Sequence, residues 1–374
     1  MKDNFEYYSL LYAITGDVIG LYSKLNRIDN PMKCTNNNDA LLLSGWANYN
    51  NYKFISEGGY SGFKLNTHNS SESAIFMLSI YDSLINNKNK YNKDLLIKMM
   101  IIKMSEYYDQ DKNKTNRFYD EITINRLENI IKKDNYSDHS YNDMSNGSEP
   151  LVRGISIGLI FNGEKNRNKL LELSVEISKA THNNATSFIG TFATALFIAL
   201  AIEKVDPNNW IDILVDFFIE GKILNHIKSI TPKKLSNEIK YYTKDVVEYQ
   251  YLLNKYKQVR FNKKNKFLSS NNGGSKYLMF LNDRAFYFYK KFGSPGIFNP
   301  GSNGLDCILI AYDSFMESGS SFEKLIYNAM LFPGQSNVIG CISGALFGAY
   351  YGNKNLENNL SNIDLKDKLN NLVT

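Results

Sequence analysis

The side chains best placed to do chemistry lie in Pro333-Gly334-Gln335-Ser336-Asn337-Val338-Ile339-Gly340, a polar turn running straight into the apolar stretch from Cys341 to Gly352. Gly340, Gly344 and Gly348 recur four apart, which places them on one face of a helix where another backbone can approach closely. The turn therefore sits at the N-terminus of a buried helix. Free N–H groups and the helix dipole make such an end a suitable seat for an anion or a metal centre. Yet the two amide-length side chains it offers, Gln335 and Asn337, carry no charge.

Three further polar turns open onto apolar helices in the same way. Thr67-His68-Asn69-Ser70-Ser71-Glu72-Ser73 precedes Ala74 to Tyr81, Ser145-Asn146-Gly147-Ser148-Glu149-Pro150 precedes Leu151 to Phe161, and Ala180-Thr181-His182-Asn183-Asn184 precedes an apolar run starting near Ser187. In the first of these, Ser and Asn caps with an early acid mark a helix start.

Around them, Phe5 to Ile14 reads as a helix that stops at Thr15-Gly16-Asp17-Val18-Ile19-Gly20, where the glycines allow a tight turn and Asp17 can cap backbone N–H groups. The next forty-odd residues, Asn-rich and Gly-punctuated, read as an irregular excursion. Helical spacing recurs over Asp94–Tyr108, Ile122–Ile131, Lys169–Lys179, Trp210–Ile219, Ile239–Tyr256, Leu305–Met316 and Phe322–Leu331, with a short helix in the tail. Asn271 to Ser275 and Gly293 to Gly304 read as loops. With no convincing strand pair, no repeat and no Pro- or Gly-rich linker, the expectation is one all-α domain over residues 1–374.

Composition narrows the function classes. Across 374 residues, 43% hydrophobic and 22% charged is a globular balance, and a net charge of +5 gives little support to general nucleic-acid binding. The heavy use of Asn, Lys, Ile and Tyr with only 7 Pro is as compatible with AT-rich coding as with any function. Lys255, Lys257, Arg260, Lys263, Lys264 and Lys266 crowd one segment, which is either a solvated face or a phosphate-binding or partner-contact patch. Cys34, Cys307 and Cys341 are scattered and odd in number, as expected for thiols in a reducing, cytoplasmic compartment. The polar start predicts no secretory leader, and Ser187 to Ile202 is shorter than the roughly 20 residues that span a bilayer, so a buried helix and no membrane association are expected.

Taken together, the turns resemble the ADP-ribosylglycohydrolase family, most closely its ADP-ribosylarginine hydrolase branch. Ala13 to Gly20 resembles an opening A-x-x-G-D-x-x-G motif, and Leu151-Val152-Arg153-Gly154 resembles the helix that follows the family's glycine-rich loop. Ser174-Val175-Glu176 with Thr181-His182 resembles an S-x-E-x-x-x-x-T-H segment, and Gly304-Leu305-Asp306 with Ile310-Ala311-Tyr312-Asp313 resembles the G-x-D and I-A-Y-D helix before the last motif.

The resemblance implies an orthogonal helical bundle that binds ADP-ribose beside two magnesium ions and cleaves the bond to a protein arginine. The acidic ligands would come from an [ST]-D-D-[ST] motif, aligned with Thr67-His68-Asn69-Ser70, and a D-x-D motif, aligned with Gln335-Ser336-Asn337. All four acids are replaced, by His68, Asn69, Gln335 and Asn337. Magnesium is usually held through carboxylates, and the hydroxyls of Thr67, Ser70 and Ser336 coordinate only weakly. A zinc site from His68, His139 or His182 with a Cys has no recognisable ligand spacing.

The expectation is therefore an inactive relative without a cofactor, with a structural or ADP-ribose-binding role toward ADP-ribose or an ADP-ribosylated protein. The alternative is an active glycohydrolase with a weakened or altered magnesium site. Gly147, Ser148, His182 and Ser302 are the candidate ligand-binding residues. Glu149 and Pro150 stand where the resemblance expects small residues: either they spoil a phosphate cradle, or Pro150 is a first-turn residue with Glu149 facing out. Ser302 either helps enclose an adenosine or lies in an ordinary loop, and His182 either lines the cleft or is a capping histidine.

Overall fold

The computed structural model describes residues 4–29, 39–87, 92–113, 117, 119–133, 140–261, 275–294, 299–354 and 363–373. They fall into two compact units, one drawn from residues 1–71 with 258–374 and one from residues 72–257. The first unit opens with α1 (Phe5–Asp29), α2 (Asp39–Ser56) and the single turn α3 (Gly59–Gly62). The second holds α4 (Glu72–Asn87), α5 (Lys93–Asp111), α6 (Glu121–Lys133), α7 (Arg153–Ile160), α8 (Arg167–Lys179), α9 (Ala185–Ile202), α10 (Trp210–Ile219), α11 (Lys222–Ser229) and most of α12 (Ile239–Arg260). The first unit closes with α13 (Ser275–Phe292), α14 (Asp306–Ser318), α15 (Phe322–Leu325), α16 (Ser336–Tyr351) and α17 (Lys366–Val373). Among the described residues the regular elements are all helical.

The glycine stripe of α16 meets α1 at backbone distance. A Cβ added to Gly344 would lie 2.1 Å from the Tyr12 carbonyl oxygen, and one on Gly348 would lie 2.3 Å from that of Tyr8. The approach is mutual: a Cβ on Gly16 would lie 2.0 Å from the Gly340 oxygen, and on Gly20, 2.2 Å from the Ser336 oxygen. Rising numbers on one helix meet falling numbers on the other, so the pair runs antiparallel. The glycines of 15–20 consequently do not break α1, which continues to Asp29; they remove side chains that would hold the two helices apart.

Residues 39–56, read as irregular from sequence, form α2. Its buried positions Leu43, Ala47, Asn50, Asn51 and Phe54 follow helical spacing, but two are asparagines, so the period is invisible to an apolar count. Asn50 donates from Nδ2 to the Leu331 carbonyl at 3.3 Å, which gives the buried amide one bond into the core. α11 and α13 are likewise helices that the sequence reading did not assign, and residues 326–330 form a π-helical turn at the end of the helix expected over 322–331.

A buried ion network ties α13 to α14. Arg284 donates from Nε to Asp313 at 2.6 Å, from Nη1 to the Asn328 carbonyl at 2.8 Å, and from Nη2 to Ser314 at 2.8 Å. Arg260 pairs with the other Asp313 oxygen at 3.0 Å and with Glu317 at 2.6 Å. Arg260 thus leaves the basic run to serve the core, while Lys257 pairs with Asp212; Lys263, Lys264 and Lys266 lie outside the described residues.

In the second unit α9 is buried along nearly its whole length. It has the length and composition of a membrane span, yet 89% of it is buried inside the protein. α7 reaches it through Gly154 and Gly158, whose added Cβ atoms would meet the Thr191 and Ala195 carbonyl oxygens at 2.3 and 2.4 Å. Ser156 bonds across to the Met77 carbonyl of α4 at 2.7 Å.

Candidate functional site

Polar groups gather at two places, one in each unit. In the first unit, α16 starts at Ser336, and the preceding turn is locked to the loop before α14. The Gln335 N–H donates to the Pro300 carbonyl at 2.8 Å, and a Cβ on Gly334 would lie 2.0 Å from that same oxygen. Gly301 adopts φ +84°, and Asp306 gathers the loop by accepting from the N–H groups of Gly301 at 2.8 Å and Asn303 at 3.0 Å. Burial pushes the Asp306 carboxyl up to about 7, against those backbone donors.

The side chains around this turn bond mainly to one another. Asn337 donates from Nδ2 to Ser71 Oγ at 3.1 Å, and Ser71 donates from its N–H and Oγ to the two carboxylate oxygens of Asp17, at 2.7 and 2.5 Å. Ser70 donates from its N–H and Oγ to Asp364, at 2.8 and 2.7 Å. Ser336 Oγ donates to the Gly20 carbonyl at 2.8 Å, and Arg27 to Asn299 to Gln335 forms a short relay at 3.0 and 3.2 Å. Gln335, Ser336 and Asn337 are all buried.

Of the residues singled out in the first motif, the structure brings Ser70 to this cluster together with Ser71. His68 and Asn69 lie elsewhere. His68 stacks flat on Phe63 at 4.9 Å and edge-on to Tyr22 at 5.0 Å, and burial lowers its pKa. Asn69 and Thr67 are exposed, and Thr67 bonds to the Lys64 carbonyl. Asp17 accepts from a backbone N–H as its sequence context suggested, but from that of Ser71 rather than from its own turn. Asp364 and Arg27 gave no sequence signal, because each lies far along the chain from its partner.

In the second unit, the loop ahead of α7 is pinned by Ser187, whose Oγ lies 2.9 Å from the Ser145 carbonyl oxygen and 2.7 Å from that of Gly147. Pro150 occupies a first-turn position, as one of the two readings had it. Glu149 does not simply face out: a Cβ on Gly147 would lie 2.3 Å from its Oε2, so the carboxylate lies over the loop. His182 Nε2 is 3.7 Å from Glu149 Oε2 and 3.8 Å from Asp120 Oδ2.

Arg153, the first residue of α7, is 1% exposed. It donates to the Ile177 carbonyl at 2.9 Å and to Thr181 Oγ1 at 2.7 Å. Burial brings its guanidinium down to about 10, against the fields of Glu72, Asp120 and Glu149. Burial and the Arg153 charge bring His182 down to about 3, so the imidazole is neutral. Asp120 caps α6 through the Thr123 N–H at 2.7 Å, and Glu72 accepts from the Asp120 N–H at 2.6 Å. Gly147, Ser148 and His182 therefore share one place; Ser302 belongs to the other unit, with its Oγ buried and without a partner among the described residues. His139 lies outside the described residues.

Helices ordered in this way over the full chain have a solved counterpart. A chain titled "ADP-ribosylglycohydrolase-related protein complex" superposes with a TM-score of 0.57 at 14% identity, covering 100% of this chain and 97% of the other, which establishes the all-α fold. The model of the ADP-ribosylglycohydrolase family matches residues 9–373, and the chain belongs to that family. It is 31% identical over 262 residues to "Putative ADP-ribosyl glycohydrolase L444" of Acanthamoeba polyphaga mimivirus, covering 69% of this chain and 49% of the relative. It is 27% identical over 229 residues to "ADP-ribosylhydrolase ARH1" of Dictyostelium discoideum, covering 58% and 56% respectively. These matches span about half the length of both relatives.

Proposed function

We propose that this chain is a member of the family that does not hydrolyse, retaining the fold for recognition of ADP-ribosyl groups, free or on protein. The observation that carries the reading is the cluster at the start of α16. Its side chains at 70, 71, 335 and 337 are hydroxyls and amides, and they are engaged with one another, with Asp17, Asp364 and Asn299.

This donor set does not fit two magnesium ions. Each ion takes near-octahedral oxygen ligands and is held through carboxylates, and two ions bring four positive charges into a buried place. Asp17 uses both carboxylate oxygens to hold Ser71, and Asp364 uses Oδ2 to hold Ser70. Among the described residues no group of three or more His, Cys, Asp or Glu is arranged to hold a metal. Bound magnesium would activate water and orient the ribosyl carbon; metals lower the pKa of bound water from 15.7 to about 7 in favourable sites. A lone general base supplies about 10² to 10⁴-fold, too little to replace that.

The test is an assay of the purified chain on ADP-ribosylarginine with millimolar magnesium. No release of ADP-ribose is expected, and turnover abolished by EDTA would overturn the reading in favour of an altered metal site. The quadruple variant S70D/S71D/Q335D/N337D supplies acids at the start of α16 and on the segment that Asn337 bonds to. Its melting temperature is expected to rise with added magnesium while that of the native chain does not, since a ligand that binds the folded state stabilises it.

A further inference from the structure

α12 carries apolar side chains on two opposite sides. Tyr242, Val246, Tyr249, Leu253 and Tyr256 are buried, at the three- and four-residue spacing of a helix packed on a core. Half a turn round, Lys240, Tyr241, Lys244, Val247, Tyr251 and Lys255 share the outer side, and Tyr241, Val247 and Tyr251 are 42%, 60% and 65% exposed. A surface helix ordinarily turns charged and polar residues to solvent. Two tyrosines and a valine in one stripe exceed the scattered single exposures that every globular protein shows.

The charge around the stripe is mostly positive. Lys240 and Lys244 are exposed, Lys255 is half-buried, and Glu248 is the acid on the same side. The neighbouring acids turn to Tyr141 instead: buried Glu238 accepts its N–H at 2.8 Å, and Asp143 and Asp245 flank its hydroxyl at 2.7 and 3.1 Å. Within the basic run, Asp212 holds Lys257, while Asp313 and Glu317 hold Arg260. Lys255 is thus the described member of that run that joins this face.

The ring faces are already covered. Tyr141 stacks on Tyr241 at 5.2 Å and 17°, the Lys240 ammonium lies over Tyr241 at 4.8 Å, and Lys255 lies over Tyr251 at 6.0 Å. A nucleic-acid base would have to displace them to stack there. Ring edges, a valine and ammonium groups remain on offer, and these suit apolar side chains flanked by carboxylates. A second copy meeting this face with its own would set the lysines against themselves. The stripe runs about 21 Å along the axis and is one helix wide, the size of a peptide contact rather than of a standard interface with roughly 800 Å² per partner.

We infer that the outer face of α12 docks an acidic amphipathic helix of another protein. The apolar stripe of that helix lies on Tyr241, Val247 and Tyr251, and its carboxylates reach Lys240, Lys244 and Lys255.

The probe is a fluorescein-labelled peptide of three heptads, with leucine at a and d and with glutamate and alanine between, titrated with the full chain and followed by anisotropy. A counterpart carries lysine in place of glutamate. The acidic peptide is expected to bind saturably and the basic one not to bind. Tyr251→Ala and Val247→Asp are each expected to weaken the acidic peptide about tenfold, with the melting temperature unchanged because both positions are exposed. The triple variant K240E/K244E/K255E is expected to lose the acidic peptide and gain the basic one, a reversal that unfolding cannot produce. No saturable binding of the acidic peptide, equal binding of both peptides, or native affinity in the Tyr251→Ala and Val247→Asp variants would each overturn the inference. So would oligothymidylate or phosphatidylserine vesicles that bind through the same residues more tightly than the peptide, or self-association of the chain that Val247→Asp abolishes.

Discussion

Neutral His182 makes stability depend on pH. Its folded pKa is lowered to about 3 from the ordinary 6.5, so between those values the unfolded chain binds a proton that the folded chain refuses. Its contribution is fully present above about 6.5 and is lost as the pH falls toward 3. His226, lowered to about 4 by burial and the nearby Lys93, acts in the same sense. Asp306 acts oppositely, because its folded carboxyl is raised. A His182→Gln variant is therefore expected to lose less urea resistance than the native chain on going from neutral pH to about pH 5; equal losses would show that His182 does not carry its share.

The same residue scale explains which part of the site was legible. Asp17, Gln335 and Asn337 stood out because a lone acid between glycines, or amides at a helix start, are visible within a few letters. Ser71 did not. Its place beside Asn337 is set by Asp17, 54 positions away, while that of Ser70 is set by Asp364, 294 positions away. No local pattern says whether positions 68 and 69 or 70 and 71 turn inward. In the second unit, His182 was legible at the end of α8, but Asp120 and Glu72 reach its surroundings only through the packing of α4 and α6.

At the scale of elements, the contact of α1 with α16 gives a change whose sign discriminates. Intrinsic propensity favours alanine over glycine in a helix by about 1 kcal/mol, so Gly344→Ala ought to stabilise an isolated α16. In the folded chain the new Cβ would lie 2.1 Å from the Tyr12 carbonyl oxygen, and backbone cannot step aside as a side chain can. A net loss of about 3 kcal/mol is expected, measured by denaturant unfolding; a gain would mean that the helices lie further apart. The stripe on α16 was readable because small residues at period four have few uses. The end of α1 was not, because Gly16 and Gly20 have the same letters whether they break a helix or admit another. In α2, Asn50 and Asn51 on the buried face concealed a helix that packing nonetheless requires.

At the scale of the whole molecule, one unit is drawn from a single continuous stretch and the other from two separated ones. The fold class was readable because the absence of alternating strands and the recurrence of capped apolar runs hold along the entire chain. The division was not, since no linker composition marks residues 71 or 257. A boundary made by a returning segment leaves no local trace.

The glycine contacts between α1 and α16 also set an order of events on the ribosome. Residues 5–29 emerge early, but the backbone they pack against is not complete until residue 351 has been made, and contacts of such sequence separation form late. The stretch 72–257, a compact unit by itself, has been made in full long before then. A nascent chain stalled near residue 300 is expected to resist limited proteolysis within 72–257 and to be cut readily within 5–29, and protection of both would mean that α1 has an earlier companion than α16.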